Sequence, residues 1–337
     1  MTTDPDFLSN VPLPDQPKQL GNILKKTTLP AIPKPLTKRQ RKLIEASAEI
    51  RLNPVTAKDA SFISREFVQA TLPHRDPKTN TWNRKNGNYT LSLQTGFDAD
   101  GNPIGLPYGV IPRLLIFWMV TEAVRTKNPT LKLGNHLATF MREIGLDPQH
   151  GGKNSPAYHL KEQMRRFFNS RIAFFYTISD KGREGEAARF MQIADDYILW
   201  WDTKQPQQSE LWESSITLDD KFFRAITANP VPVHTEALSE LKNSPLALDL
   251  YALCCYEAYR VEKTGEARFI SWRSLMEQMG ANYTGDNAHK EFARKAKQAL
   301  KKIQLVMKTL HISYAQEGGV TILPSSRPTI HSKNHLR

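Results

Sequence analysis

The chain has 337 residues, with 46 Lys and Arg against 34 Asp and Glu and a formal net charge of +12. Hydrophobic residues make up 39%, enough for packed cores, and the basic excess favours a polyanionic partner such as nucleic acid or an anionic membrane surface. Apolar runs such as Leu114 to Val120 are far short of the roughly 20 residues a bilayer requires. The opening Met-Thr-Thr-Asp-Pro-Asp has no basic segment followed by an apolar one, so no secretory signal is expected. Only two cysteines occur, adjacent at Cys254 and Cys255, which excludes a disulfide framework and a zinc constellation. A length of this order predicts two folded domains of a soluble protein in a reducing compartment.

Residues 1 to about 45 read as a disordered basic arm, broken by Pro5, Pro12, Pro14, Pro17, Pro30, Pro33 and Pro35. Between Gln16 and Ile44 it carries basic residues and no acid, the pattern of a flexible phosphate-seeking tail as well as of a solvated one. The spacing then predicts a short helix over 59–70, a strand at Tyr89-Thr-Leu-Ser-Leu and a turn at Asp98-Ala-Asp-Gly-Asn-Pro. A calcium loop starting at Asp98 is excluded, because Pro103 and Gly109 stand where that loop needs Gly and Glu.

From 106 to 323 one order of elements is predicted twice. The first copy has an apolar helix at 110–127, a strand at Leu131-Lys-Leu and a helix at 135–144, capped by Asn135 and stopped by Gly145. A basic helix at 155–169 follows, then strands 171–179 and 189–201 joined by the turn at 181–186. The second copy has an apolar helix at 245–262, strand 268–271, a helix at 272–279 capped by Ser271, a long basic helix at 287–307, and strands 309–315 and 319–323. This is the order of a helix-turn-helix backed by a β-hairpin wing. The expected fold class is therefore α+β, mainly helical, with tandem winged-helix domains and a disordered basic N-terminal arm. The expected division is arm 1–60, first domain 61–213, second domain 214–328 and tail 329–337, with 202–240 as the linker region.

The basic helix of the second copy is the strongest local feature. At about 100° per residue, Phe292, Ala296, Ala299, Leu300, Ile303, Val306 and Met307 form one apolar stripe. Lys290, Arg294, Lys297 and Lys301 fall opposite, flanked by Lys295 and Lys302, with Glu291 as the one acid. Any surface helix has a charged face; four cations on one line with little neutralisation favour DNA contact. Asn287, His289, Lys290 and Arg294, near its start, are candidates for base contact, and Lys297 and Lys301 for phosphate. In the first copy the candidates are Tyr158, Lys161, Arg165 and Arg166 on the helix and Lys181 and Arg183 in the turn, where Glu184 and Glu186 dilute the charge.

Catalytic signatures are sparse. No phosphate-binding Gly-rich loop occurs, no His-x-His pair is present, and no predicted helix carries a His-x-x-x-His pair to hold a metal. Asp195-Asp196 and Asp219-Asp220 point to opposite faces if extended, so they read as surface acids rather than a magnesium site. Trp200, Trp201, Trp212 and the two cysteines read as packing residues. The expectation is a protein that is not an enzyme and has no cofactor or metal.

Several blocks in register resemble the plasmid-encoded RepA-type replication initiators. They are Leu106-Pro-Tyr-Gly-Val-Ile-Pro-Arg-Leu-Leu, Thr121-Glu-Ala-Val-Arg-Thr, Phe140-Met-Arg-Glu-Ile-Gly-Leu and Leu160-Lys-Glu-Gln-Met-Arg-Arg-Phe-Phe. Further along come Asn229-Pro-Val-Pro-Val, Ser244-Pro-Leu-Ala-Leu-Asp-Leu-Tyr, Ile270-Ser-Trp and Leu323-Pro-Ser-Ser-Arg-Pro. The resemblance implies a bacterial, cytoplasmic initiator that binds repeated sequences in double-stranded origin DNA and opens the origin. Implied partners are the host replicative helicase or its loader and a second copy of the chain, with no membrane. It also implies that the helix bearing Lys290, Arg294, Lys297 and Lys301 is the recognition helix, and that the first-copy helix with Phe117 and Trp118 is an interface or core element. A transcriptional regulator of the same build, a rolling-circle nicking enzyme and an RNA-binding protein are the alternative readings.

Overall fold

The computed structural model describes residues 37–53, 56–148, 155–180, 183–202, 204, 209–279, 282–315 and 318–330. The first element among the described residues is a helix, α1 (Lys38–Leu52), inside the stretch expected to lack structure up to residue 60. Its start is a capping box: the Gln40 amide donates to Thr37 Oγ1 at 3.2 Å and the Thr37 amide donates to Gln40 Oε1 at 2.9 Å. Leu43 and Ala46 are buried, which gives the helix a reason to persist. The arm expected before it, residues 1–36, lies outside the described residues.

Where the spacing predicts one helix over 59–70, the chain forms a strand, β1 (Ala60–Ser64), and then a short helix, α2 (Arg65–Gln69). The strand wins because a distant partner exists. It pairs antiparallel with β9 (Pro230–His234), Phe62 opposite Pro232 and Ser64 opposite Pro230. The Pro-Val-Pro-Val segment suits that place: a two-stranded sheet leaves one edge of β9 without a partner, where proline costs no ladder bond, while Val231 and Val233 are buried.

A hairpin follows, β2 (Thr81–Asn86) and β3 (Tyr89–Gln94), and then the apolar helix α3 (Val110–Thr126). Every residue of α3 from Pro112 to Thr121 is buried, so it runs through the core rather than along its surface. After it come β4 (Thr130–His136), α4 (Leu137–Glu143), α5 (Pro156–Phe168), β5 (Arg171–Asp180), β6 (Arg183–Gln192) and β7 (Ala194–Ile198). The region expected to be a linker holds β8 (Ser209–Leu218), α6 (Asp220–Ala228), β9 and α7 (Thr235–Leu241). The division expected at 213/214 falls inside β8. The remaining elements are α8 (Pro245–Thr264), β10 (Arg268–Ser271), α9 (Trp272–Gln278), α10 (Ala288–Val306), β11 (Ile312–Ala315) and β12 (Gly319–Ile322).

Among the described residues the strands form four antiparallel sheets, β1-β9, β2-β3-β5-β6, β4-β8-β7 and β10-β12-β11. The fold is α+β, and the expectation of a mainly helical molecule made of tandem winged helices is corrected. The reason lies in the partners available to the first hairpin. Leu91 and Leu93 on β3 stand opposite Phe174 and Ile172 on β5, and all four are buried. The hairpin β5-β6 therefore extends the β2-β3 sheet, while β4 pairs with β8, a strand from the supposed linker. Only the later repeat keeps its own three strands together. There Gly319 lets the hairpin close on β10, since a Cβ at that position would lie 2.3 Å from the Phe269 ring.

The two repeats are joined by a buried ionic cluster. Arg113 on α3 donates from Nε and Nη2 to the two carboxylate oxygens of Asp249 on α8, both at 2.8 Å. Its remaining donors reach the carbonyls of Leu72, Pro73 and Gly109. His74 Nε2 lies 2.9 Å from Asp249 Oδ2. Burial pushes the Asp249 carboxyl up, but Arg113 and the hydrogen bonds bring it below the ordinary carboxylate value. Burial holds His74 below the ordinary histidine value, so a neutral imidazole donates to a carboxylate already paired with a guanidinium. The described residues from Lys42 onward form one compact unit.

Candidate nucleic-acid interface

The sequence of α10 alternates its properties at helical period, and the structure buries one side of it. Phe292, Ala296, Ala299, Leu300, Ile303 and Val306 are buried, as is Met307 just beyond the helix. Asn287 is the N-cap residue but makes no side-chain cap bond, which leaves its amide available. The helix packs against α8, and Ser47 on α1 donates to the Leu305 carbonyl. Leading into α10, Asn282 accepts from Arg84 on β2 at 2.8 Å, and Tyr283 meets Phe292 edge-on at 5.8 Å.

The opposite side of α10 is cationic. Asn287, His289, Lys290, Arg294, Lys297 and Lys301 are all exposed. Among the described residues, no acid lies within ion-pair distance of Lys290, Arg294, Lys297 or Lys301; the one ion pair on the helix is Lys295 with Glu291 at 3.3 Å. Lys297 has a different seat: its ammonium lies 5.7 Å from the Trp272 ring centre and 5.2 Å from that of Tyr314. Those rings, from α9 and β11, hold the lysine in place without neutralising it. Neither Trp272 nor Tyr314 was singled out from the sequence, because each lies on a different element from the lysine.

The first-copy candidates are arranged otherwise. Ser155 caps α5 by accepting from the Tyr158 amide at 3.1 Å, and Tyr158 stands exposed with its ring against His159. Lys161 donates to the Trp201 carbonyl at 3.0 Å. Arg166 donates to Glu162 at 2.9 Å, to Asp76 at 3.2 Å and to the Leu106 carbonyl at 3.3 Å. Burial lowers the Arg166 pKa, and its two carboxylate partners more than offset this, so it stands above the ordinary arginine value. Arg165 and Arg183 are exposed, and Lys181 lies outside the described residues. The candidates therefore fall into an uncompensated set on α10 and a set on α5 partly engaged within the protein.

Of the acidic pairs weighed as metal ligands, Asp219-Asp220 has local roles. Asp219 caps α6 by accepting from the Phe222 amide at 2.9 Å, and Asp220 pairs with Arg224. Among the described residues no group of three His, Cys, Asp or Glu is placed to hold a metal ion. Trp201 packs its ring on Phe140 at 5.1 Å, while Trp200 is half exposed. Cys254 and Cys255 are buried, and burial pushes the Cys255 thiol up to about 12, which keeps it protonated and unreactive. No helix of the described residues is long and apolar enough to cross a membrane.

The buried trio of Arg113, Asp249 and His74 also went unpredicted, although a signal was present. Arg113 and Asp249 each sit within an otherwise apolar helical run, and an isolated charge in a buried run must find a partner. The sequence does not say which.

Compared with known proteins, the chain is similar to two crystal structures of RctB. One holds domains 2-3, with 11% identity over 76% of this chain and 94% of that chain and a TM-score of 0.42. The other is a selenomethionine derivative of domains 2 and 3, with 10% identity over 77% and 95% and a TM-score of 0.45. No curated protein sequence matches the chain. The family model for plasmid-encoded RepA protein matches residues 106–274, half of the chain, from the loop before α3 into α9. The chain therefore belongs to the family of plasmid-encoded RepA proteins, which are replication initiators.

Proposed function

We propose that this initiator binds duplex origin DNA through the exposed face of α10, without catalysing a covalent step. The observation that carries the reading is the row Lys290, Arg294, Lys297 and Lys301, exposed and free of acidic partners among the described residues, with Lys297 held between two aromatic rings. Four uncompensated cations on one helix face offer phosphate contacts and give affinity; Asn287 and His289 at the helix start supply hydrogen-bonding groups for base edges. On α5, Tyr158 and Arg165, with Arg183 on β6, are secondary contacts. Lys161 and Arg166 are left out of the interface because they are engaged internally.

Binding to several origin repeats would bend the DNA and favour opening of a weak neighbouring segment, with the energy drawn from contacts rather than from nucleotide hydrolysis. Recruitment of the host helicase or its loader, and self-association on the repeats, complete the proposed cycle.

The experiment measures affinity of the purified chain for its own plasmid's origin and for scrambled duplex at about 50 and 200 mM salt, a range over which phosphate-driven affinity falls by orders of magnitude. Origin preference with a steep salt slope, both reduced in Lys297→Glu/Lys301→Glu, is the expected result. Equal affinity for the two duplexes would overturn origin recognition.

A further inference from the structure

A groove of about 680 Å³ opens beside the β2-β3 turn, bounded by α2, α8, β10 and α9. None of its charged residues belongs to the α10 face. Arg65 and Lys85 come from the segment before the first repeat and Arg260 and Arg268 from the second repeat, and all four residues are exposed. Two acids share the groove. Glu257 is buried and serves both Arg260 at 3.2 Å and Arg268 at 3.9 Å; Glu277 is exposed at the margin. Arg65 and Lys85 have no ion-pair partner among the described residues, so the groove keeps a positive excess.

The cations alternate with aromatic rings. The Arg65 guanidinium lies 6.0 Å from the Tyr256 ring centre and that of Arg260 lies 5.7 Å from it. Tyr176 and the 40% exposed Phe269 present further rings to the same space. A phosphate chain would satisfy the cations alone, and an acidic peptide would do so too. The rings add a preference for flat π surfaces, which a duplex hides in its stack and an unpaired strand displays. The volume falls in the ordinary range of ligand pockets, about 300–1,000 Å³, enough for a short stretch of nucleotides and too little for a double helix.

We propose that this groove is a single-stranded nucleic-acid site, taking a few unpaired nucleotides with their bases on the rings and their phosphates on Arg65, Lys85, Arg260 and Arg268. It rests on the reading of the protein as an initiator that opens DNA for the source of its ligand: a strand held there after opening would be stabilised against re-pairing.

The test is fluorescence anisotropy of the full chain with labelled oligothymidylate of about 12 nucleotides, within the site sizes of single-strand binders, and with origin duplex. Arg65→Glu/Lys85→Glu changes two exposed residues that have no ion-pair partners among the described residues. It should weaken oligothymidylate binding at least about tenfold and flatten its salt slope by about 1.4, at roughly 0.7 for each phosphate no longer neutralised. Origin-duplex affinity should stay within about twofold, and Lys297→Glu/Lys301→Glu should give the reverse pattern. Unchanged oligothymidylate binding in the groove variant would overturn the site. So would equal losses for both DNAs, or displacement of the oligonucleotide by polyglutamate as effectively as by unlabelled strand. Loss of origin preference with the groove result intact would remove the origin-recognition reading and leave the single-strand site standing.

Discussion

On α5, Arg166 is held by Glu162, Asp76 and a backbone carbonyl, and Lys161 by the carbonyl of Trp201. On α10, at the corresponding place in the second repeat, Lys290, Arg294 and Lys301 have no such partners among the described residues, and Lys297 rests on aromatic rings. Both helices are amphipathic and basic in sequence. What separates them is the company brought by other segments: Asp76 from the loop before β2 and the Trp201 carbonyl from the strand end beyond β7 turn α5 inward. The row Lys290, Arg294, Lys297 and Lys301 on α10 meets no described carboxylate, since Glu291 pairs with Lys295 instead. A basic helix face is thus a candidate nucleic-acid surface only when the rest of the fold leaves it uncompensated.

The largest expected effect tests whether the two repeats share one body, without which their helices could not be compared as parts of one surface. Asp249→Ala leaves the Arg113 guanidinium buried with its main partner removed, and breaking a buried pair from one side costs about 3–5 kcal/mol. Thermal unfolding should show a loss of that size. A loss below about 1 kcal/mol would mean that the backbone carbonyls around Arg113 suffice to hold the junction.

The contrast between the helices is sharpened by a crossed pair of substitutions. Arg166→Ala removes two partly exposed ion pairs and should cost about 1–2 kcal/mol of stability, reduced by solvent screening, with duplex affinity unchanged. Lys301→Ala should leave stability within about 0.5 kcal/mol, weaken duplex binding evenly across sequences and lower the salt slope by about 0.9. Unfolding curves and salt titrations on both variants decide it. If Arg166→Ala weakened DNA binding as much as Lys301→Ala, the division between inward and outward helices would fail.

The difference between the regions also explains what the sequence disclosed. The order helix, strand, helix, helix, hairpin was legible twice, from periodicity and from signals such as the Ser271 cap, because those signals are local. Strand pairing was not. Whether β5-β6 joins β4 or β3 depends on Leu91 and Leu93 meeting Phe174 and Ile172, a meeting of distant segments that no spacing announces. The same limit hid β1, whose partner β9 lies in a stretch whose prolines suggested a linker. Of the proposed interface, the cations of α10 were visible because they share one helix. The rings under Lys297 and the partners of Arg166 were not, since each comes from another element. Thr37 and Gln40 form a readable capping box, masked by the prolines that precede it.

The smallest effect concerns pH and the same junction between the repeats. Burial holds His74 below the ordinary value of 6.5 in the folded protein, so in moderate acid the unfolded chain binds a proton there that the folded chain does not. Stability from this group is therefore fully present above about 6.5 and is lost as pH falls toward the folded value. Asp249, also depressed, loses its contribution only at lower pH, as the pH falls through its own folded value. His234 is lowered too and adds to the decline below 6.5, while the raised carboxyls of Glu66 and Glu257 oppose it. A single pH curve mixes these groups, so the informative quantity is the difference between wild type and His74→Gln. Between about pH 7 and 5 the variant, already weakened, should lose less further stability than wild type. Parallel losses would show that His74 takes up its proton in the folded state, and that the Arg113–Asp249 pair tolerates a second cation beside it.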